Sequence, residues 1–549
     1  MSIPGRPAVE ATRPAPPGYA SGGLWPDRTL GSHLAEQAVR APGALAVVDG
    51  ETRLTYGQFA DQVDRMAGAL ARAGIGRHDV VTVELPNWWE ALVTVHAVLR
   101  AGAVVNPVVP IYRDREVGFV LRQAAPRLVV VPHRFRGFDY VEMLGRLLPA
   151  LDKPPPTAVV VRPEGVLPDG FVAFDRMLGD CPEDSAVRPS TADAAHPDDI
   201  SLLLYTSGTT AEAKGVLHSH RTLGYENQSI AELFHLGPED TVFMASPVTH
   251  ITGFLYGILL PPMLGVPIVL LDIWEPTAAV RLVERERCRF TVGATPFLQG
   301  LTDAYAESGR RSALRAFLCG GADVPPELVR RARNVLGSTV VRVYGSSEFP
   351  TFSCGGPNDP LEVAADTDGL PIGPVECRLD LADAAGVGEL LVRGPDLFLG
   401  YLDGRLNDDA FTSDGFFRTG DLATVDARGA VTIKGRKKDI ILRNGENISA
   451  KEIEDLLYEH PAVKEVAVVA VPDPNTGEKA CAFVVAVPGT DPTLAELNHY
   501  LESQRIARQK FPEQLELIAE LPTTASGKVQ KFVLRELSRR ALGAETPGV

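Results

Sequence analysis

Residues 200–215 read Ile-Ser-Leu-Leu-Leu-Tyr-Thr-Ser-Gly-Thr-Thr-Ala-Glu-Ala-Lys-Gly. An apolar run ending at Tyr205 has the texture of a buried strand. It breaks into hydroxyls at Thr206, Ser207, Thr209 and Thr210, a glycine at Gly208 and a cation at Lys214. Those groups suit a polyphosphate, because glycine lets the backbone approach and the side chains donate. The common P-loop ends Gly-Lys-Ser/Thr, whereas Ala213 precedes Lys214 here and Gly215 follows it. A polar turn after a strand is the bland alternative. Other residues able to do chemistry sit at His250, Glu348, Asp421, Arg436 and Lys528. Each alone also has an ordinary reading: a packed histidine, a solvated acid, a structural Gly-Asp turn, a charged turn.

The remaining composition narrows the classes. The 549-residue chain is too long for one core, and its length suggests about 3–4 domain-sized units. It is 45% hydrophobic and 23% charged, with mean hydropathy +0.02, as ordinary globular proteins are. The net charge is −16 and no long basic run occurs, which sets nucleic acid aside as a partner. Anionic substrates must then be met by local cations and backbone dipoles. Six cysteines are scattered without C-x-x-C spacing, which fits reduced thiols in the cytosol and neither a disulfide frame nor a zinc site. Residues 1–28 are rich in Pro, Gly and Ala and read as a loose, disordered arm. The stretch 241–271 carries no Asp, Glu, Lys or Arg, but Pro247, Pro261, Pro262 and Pro267 interrupt it. It reads as a buried core with turns, and no integral membrane segment is expected.

The elements that must position these residues alternate. Thr55 to Gln58 has the form of a capping box, followed by Phe59, Val63, Met66 and Leu70 at helical spacing. Strand-like runs at 80–85, 103–109 and 127–131 flank a helical 87–100, the pattern of a parallel sheet with helices on both faces. Residues 152–199 read as a loop-heavy approach. Alternation resumes with strands at 265–271, 314–318 and 339–343 and a helix at 278–287, then gives way to short β pieces at 389–392 and 430–433. Beyond Gly435 lies a compact α/β pattern. Ser449 to Glu452 suggests a capping box, then strands follow at 466–471 and 480–487 and a helix at 494–505. The expected domains are therefore 29–435 and 436–549. The expected class is α/β, with packed α/β/α sheets, a β-barrel-like subdomain and a small mobile α+β C-terminal domain.

Taken together and in order, the motifs resemble those of the adenylate-forming acyl-CoA synthetase superfamily. They are Tyr205 to Thr210 with Lys214-Gly215, Pro247 to His250, Tyr344-Gly-Ser-Ser-Glu348, Thr419-Gly-Asp421, Gly435-Arg436 and Pro522 to Lys528. The resemblance spans roughly residues 30–540 and implies ATP, Mg²⁺ and CoA as cofactors. A carboxylic acid would be activated as its adenylate with loss of pyrophosphate, then passed to a thiol. Carboxylate attack on ATP brings anions together, so donors and cations must be placed in advance. By resemblance, Thr206, Ser207, Gly208, Thr209, Thr210 and Lys214 hold phosphates. Glu348 is the magnesium carboxylate, and Ser347 keeps the hydroxyl where the family often has threonine. Tyr344, Gly345 and Ser346, with Gly321, Ala322 and Asp323, resemble the adenine slot. Asp421 is the ribose ligand, assisted by Arg436. Lys528 bridges the attacking carboxylate and the α-phosphate. The small domain rotates between a lysine-in pose and a thiol pose about Lys438, the Asn444–Asn447 loop entering in the latter, while Lys437 reads as solvated.

Two departures stand out: Ala211 replaces a glycine and Ala213 a proline in the phosphate loop. The first disfavours positive φ and the second loosens the loop. The acyl pocket would lie behind His250, a residue that orders the carboxylate, gates the thiol tunnel or simply packs. Its candidates are Ile251, Gly253, Phe254, Phe349, Pro350 and Thr351, apolar enough to disfavour a polar amino acid or a dicarboxylate. The overall likeness is to bacterial ligases for medium-chain, cyclohexanecarboxylate-like or aryl acids, with a cytoplasmic setting and, as a further option, a homodimer. Relatives in secondary metabolism offer other acceptors: a carrier-protein thiol, an amine, or nitrite in aryl-amine diazotisation. A non-catalytic nucleotide-binding relative is disfavoured by the presence of Glu348, Asp421, Arg436 and Lys528. A dinucleotide-dependent oxidoreductase is weaker still without G-x-G-x-x-G.

Overall fold

A computed structural model describes residues 9–13, 18–155, 157–179, 195–206, 213–443, 446–473, 476–524 and 527–541. Its strands cluster where β-branched residues run together. Val80–Val83, Leu128–Pro132 and Thr157–Val161 are almost wholly buried, as parallel strands covered on both faces must be. With Gly215–Ser219, Ile200–Tyr205, Val104–Pro107 and Phe171–Ala173 they form a seven-stranded sheet. All its pairings are parallel except the hairpin of Ile200–Tyr205 with Gly215–Ser219. A nine-stranded sheet packs beside it. Thr339–Tyr344, Ala316–Gly320, Phe290–Gly293, Val242–Met244, Ile268–Leu270 and Leu45–Asp49 form its parallel centre, with antiparallel strands at both edges. The Thr55–Gln58 capping box opens helix Tyr56–Arg72, which buries Phe59, Val63, Met66 and Leu70.

The later part differs in kind. Glu376–Asp380, Gly388–Arg393, Phe417–Val425 and Val431–Arg436 make a four-stranded antiparallel sheet, the form taken by the β-barrel-like part. A buried ion pair, Arg342 to Asp368 at 2.7 Å, joins it to the nine-stranded sheet, because Asp368 also accepts from the Ile433 N–H at 2.8 Å. The C-terminal unit is a five-stranded sheet of Glu446–Ser449, Ile440–Arg443, Gly477–Ala486, Val463–Asp473 and Gln514–Leu517. Helices Ala450–Tyr458 and Leu494–Ser503 cover one face through Ile453, Leu457, Leu497 and Leu501. Helix Lys531–Ala541 covers the other through Leu534.

Several expectations shift. Residues 152–199 hold two strands and a helix, Phe174–Gly179, so the proline-rich stretch is less loop-heavy than its composition suggests. The Ser449 hydroxyl caps its helix, but the reciprocal half of the box is missing because Glu452 pairs with Lys510 at 2.7 Å. Residues 241–271 break into short strands and helices around a π-helical turn, Phe254–Leu259. No helix among the described residues is long and apolar enough to cross a membrane. Within the segment read as an arm, Trp25 is buried and donates to the Pro395 carbonyl at 2.8 Å, and Arg13 stacks on Phe411. The five described cysteines are free thiols; Cys181 lies outside the described residues.

Candidate active site

A cavity of about 800 Å³ opens where the nine-stranded sheet, the antiparallel sheet and the C-terminal unit meet. It sits beyond the carboxyl ends of Phe290–Gly293, Ala316–Gly320 and Thr339–Tyr344, the usual place for a ligand in a parallel sheet. Gly321, Ala322, Asp323, Tyr344, Gly345, Ser346 and Ser347 all line it. Two glycines make the close turns feasible. A Cβ on Gly345 would lie 1.9 Å from the Pro350 carbonyl oxygen, and one on Gly320 would lie 2.2 Å from that of Val343. Ser346 has a turn-holding task, its hydroxyl accepting from the N–H groups of Glu348 and Phe349, both at 3.2 Å.

Asp421 and Arg436 face each other across adjacent antiparallel strands, which places the carboxylate 3.1 Å from the guanidinium. The Tyr344 hydroxyl donates to the other carboxylate oxygen at 2.6 Å. Burial, then the Asp421 charge, keeps that phenol firmly protonated. A buried acid with two fixed donors is a rigid acceptor for a diol.

Thr206 and Lys214, the described ends of the phosphate stretch, sit at one end of the hairpin of Ile200–Tyr205 with Gly215–Ser219. Thr206 and Lys214 close it, with the Thr206 N–H donating to the Lys214 carbonyl at 3.0 Å and the Lys214 N–H to the Thr206 hydroxyl at 3.2 Å. Ser207, Gly208, Thr209, Thr210 and Ala211 lie outside the described residues. Thr206 and Lys214 line the cavity, and Ala213 packs against the core in the place of the usual proline. Opposite stands Tyr401, which no motif flagged. Its ring lies 5.0 Å from the Lys214 ammonium and its hydroxyl donates to Glu348 at 2.8 Å. Tyr401 is held by the bridge between its backbone and Val216, a pairing of residues far apart in sequence. Among the described residues no group of three or more His, Cys, Asp or Glu could hold a metal ion, so a cation at Glu348 would need oxygens from a ligand.

The C-terminal unit supplies the last wall. Lys528 sits in a tight turn, its carbonyl accepting from Thr524 at 2.8 Å and its N–H donating to the Thr524 hydroxyl at 3.1 Å. Gly527 has φ +83°, and a Cβ there would lie 2.9 Å from Pro296 of the large domain. Burial, then the charge of Arg436, lowers the Lys528 ammonium to about 8. His250 caps the helix start at Ile251 and is lowered to about 4 by burial and by Lys528, so its ring is neutral. The Lys451 ammonium lies 3.7 Å from Asp323 and 3.0 Å from Asp455, and Tyr458 donates to Gln299 at 3.1 Å across the same seam. Lys438 lies in the turn Lys437–Asp439 at the cavity rim. Lys437, read as merely solvated, pairs with Glu389 at 3.3 Å. Asn444 and Gly445 are outside the described residues.

The acyl side is less as expected. Ile251, Pro350 and Thr351 line the cavity, but Gly253, Phe254 and Phe349 do not. Gly253 is needed for packing, since a Cβ there would meet the Pro247 carbonyl oxygen at 2.2 Å. Phe254 is wholly enclosed in the core, and Phe349 belongs to the cluster under the antiparallel sheet beside Phe352. Sequence spacing names the neighbourhood; the direction of each side chain follows from the turn at Gly345 and the π-helical turn, which no local pattern announces. Tyr256, unflagged, reaches the wall instead. Behind it two acids, Glu226 and Asp396, are buried.

With this geometry in place, the comparisons with known proteins are specific. The family described as AMP-binding enzyme matches residues 34–402, and AMP-binding enzyme C-terminal domain matches 452–528. A salicylyl-CoA synthase / salicylate adenylyltransferase of Streptomyces is 36% identical over 95% of this chain and 96% of its own. A medium-chain fatty-acid–CoA ligase of Escherichia coli is 34% identical over 95% and 93%. ATP-bound MatB from Rhodopseudomonas palustris superposes with a TM-score of 0.81 at 26% identity, covering 94% of this chain and all of the other.

Proposed function

The chain belongs to the AMP-binding enzyme family, and from that premise we propose how its cavity performs an ATP-dependent acid–thiol ligation. A carboxylate oxygen attacks the α-phosphorus of ATP, the bond to the β-phosphate breaks and pyrophosphate leaves. A thiol sulfur then displaces AMP from the acyl carbon, its proton passing to solvent. What carries this reading is one observation: Lys528, from the C-terminal unit, shares a cavity with Asp421, Arg436, Glu348 and His250 of the rest of the chain.

Each role follows from the local chemistry. Lys528 bridges the acid and the α-phosphate, where charge accumulates as the new bond forms. Asp421, pinned by Arg436 and Tyr344, receives the ribose hydroxyls. Thr206 and Lys214 anchor the phosphate hairpin. Glu348 and phosphate oxygens would hold magnesium, which when bound neutralises charge on the transferring phosphates. Neutral His250 offers a ring nitrogen to the carboxylate without adding charge. Lys528 inside the cavity corresponds to the adenylating arrangement, and rotation of the C-terminal unit about Lys438 would exchange it for the thiol-transfer arrangement. The acid is apolar in the main, medium-chain, cyclic or aryl, and CoA is the first acceptor. The relative with both salicylyl-CoA synthase and adenylyltransferase in its name supports an aryl acid and motivates testing other acceptors.

Pyrophosphate release across a panel of acids, with and without CoA, tests this. Release that depends on acid, with acyl-CoA formed when CoA is present, is expected. No release with any acid would sink the reading; release without acyl-CoA would move the acceptor to a carrier-protein thiol or another nucleophile.

A further inference from the structure

The strand Gly215–Ser219 begins directly after Lys214 and is an edge of the seven-stranded sheet. Residues 399–402 run along its free side. The Leu399 N–H donates to the Leu217 carbonyl at 2.8 Å, the Leu217 N–H to that of Gly400 at 3.1 Å and the Leu402 N–H to that of Gly215 at 2.7 Å. This segment carries Tyr401, whose hydroxyl donates to the Glu348 carboxylate at 2.8 Å. Phe398, just before it, donates its N–H to the Glu348 carbonyl at 2.8 Å. Backbone pairing thus makes one route from the strand after Lys214 to Glu348.

A second route runs through a side chain. His218 is fully buried on the same strand, and its Nε2 lies 2.8 Å from the carbonyl oxygen of Ser347, the residue before Glu348. A carbonyl only accepts, so Nε2 carries a proton and donates it, whatever the charge of the ring. Nδ1 lies 3.1 Å from the Thr222 hydroxyl in the first turn of helix His220–Leu233, which holds the other side of the ring. The imidazole therefore ties the strand to a loop 129 positions away in sequence. Val216 and Leu217 bury apolar side chains on this strand, so packing alone does not call for an imidazole between them and the loop.

We propose that His218 is a positioning residue for the nucleotide end: it fixes the Ser347–Glu348 peptide against the strand that follows Lys214, so that the phosphate cation and the magnesium carboxylate keep one spacing before ATP arrives. Charges fixed in advance stabilise a ligand more than the same charges on a loop free to shift. Ser347 and Glu348 line the cavity and His218 does not, so His218 acts through them. The proposal rests on the roles given above to Lys214 and Glu348, and it adds a residue that no motif marks.

The test is calorimetric binding of α,β-methylene ATP, whose α–β bridge cannot be cleaved, in magnesium and in EDTA. His218→Leu should lose about tenfold or more of its affinity in magnesium and less than about twofold in EDTA. His218→Gln, whose side-chain amide N–H reaches the Ser347 carbonyl, should recover most of that loss. In turnover, the KM for magnesium ATP should rise in His218→Leu while the KM for the acid stays within about twofold of wild type. A folded His218→Leu that binds like wild type, or that weakens equally with and without magnesium, would overturn the proposal. So would a His218→Gln no better than His218→Leu. Where His218→Leu does not fold, His218→Asn, whose amide stops short of the carbonyl, takes its place in the same comparison. The titration needs no acid, so an acid panel that releases no pyrophosphate sinks the activation reading alone, whereas a wild type that binds no nucleotide overturns both.

Discussion

The two ends of the cavity are built on opposite principles. The nucleotide end is charged and assembled across a seam: Asp421, Tyr344 and Glu348 come from one unit and Lys528 from the other. The acyl end is buried and belongs to the large unit alone, and there the Tyr256 hydroxyl donates to Glu226 and lies 2.7 Å from the Thr351 hydroxyl before any ligand arrives. A part that must come and go is held across the seam by long polar contacts such as buried Lys451 to half-exposed Asp323 at 3.7 Å. A part that must discriminate is fixed by short buried bonds such as Tyr256 to Thr351 at 2.7 Å.

Breaking the nucleotide end at its moving member should have the largest effect. Lys528→Ala should lower adenylation by about 10²–10³-fold, read as acid-dependent pyrophosphate exchange. Thioester formation from preformed adenylate should fall far less, and equal losses in both would erase the contrast between a mobile and a fixed end. Lys438→Pro targets the turn on which that mobility depends. Thioester formation should drop by about tenfold or more while pyrophosphate exchange stays near wild type. A pH series sharpens the same contrast. Since burial and Arg436 hold Lys528 at about 8, kcat/KM for ATP should fall tenfold per unit above that value as the ammonium is lost. ATP phosphates favour the ammonium, so the fall in kcat should come at higher pH. The sign for stability is opposite: the charged lysine weakens folding below about 8, and that cost fades as pH rises toward 10.5. The smallest expected effect is Tyr401→Phe, which removes one hydrogen bond to Glu348 and should raise the magnesium requirement several-fold.

The same contrast explains what the sequence discloses. Nucleotide-end residues sit at strand ends and tight turns, where a glycine, a hydroxyl and a charge must follow one another within a few positions. Tyr344 to Glu348 and Gly527-Lys528 are legible for that reason. The alternating strands of both parallel sheets are equally legible, because burial on both faces leaves continuous β-branched runs. Tyr401 is not, since its partners Lys214 and Glu348 lie far away in the chain and reach it through a backbone bridge to Val216. The acyl wall is harder still. Glu226, Tyr256, Thr351 and Asp396 come from four separate segments, and Phe349 differs from Pro350 only in which way the turn at Gly345 sends it.

The burial of Glu226 beneath Tyr256 has a bearing on how such an enzyme could change its diet. Replacing Tyr256 by phenylalanine takes a donor away from this buried carboxyl, at a cost of about 1–3 kcal/mol. Ile251 and Thr252 line the cavity without a side-chain hydrogen bond to that carboxyl. Divergence in acid preference should accordingly arise at Ile251 or Thr252 first.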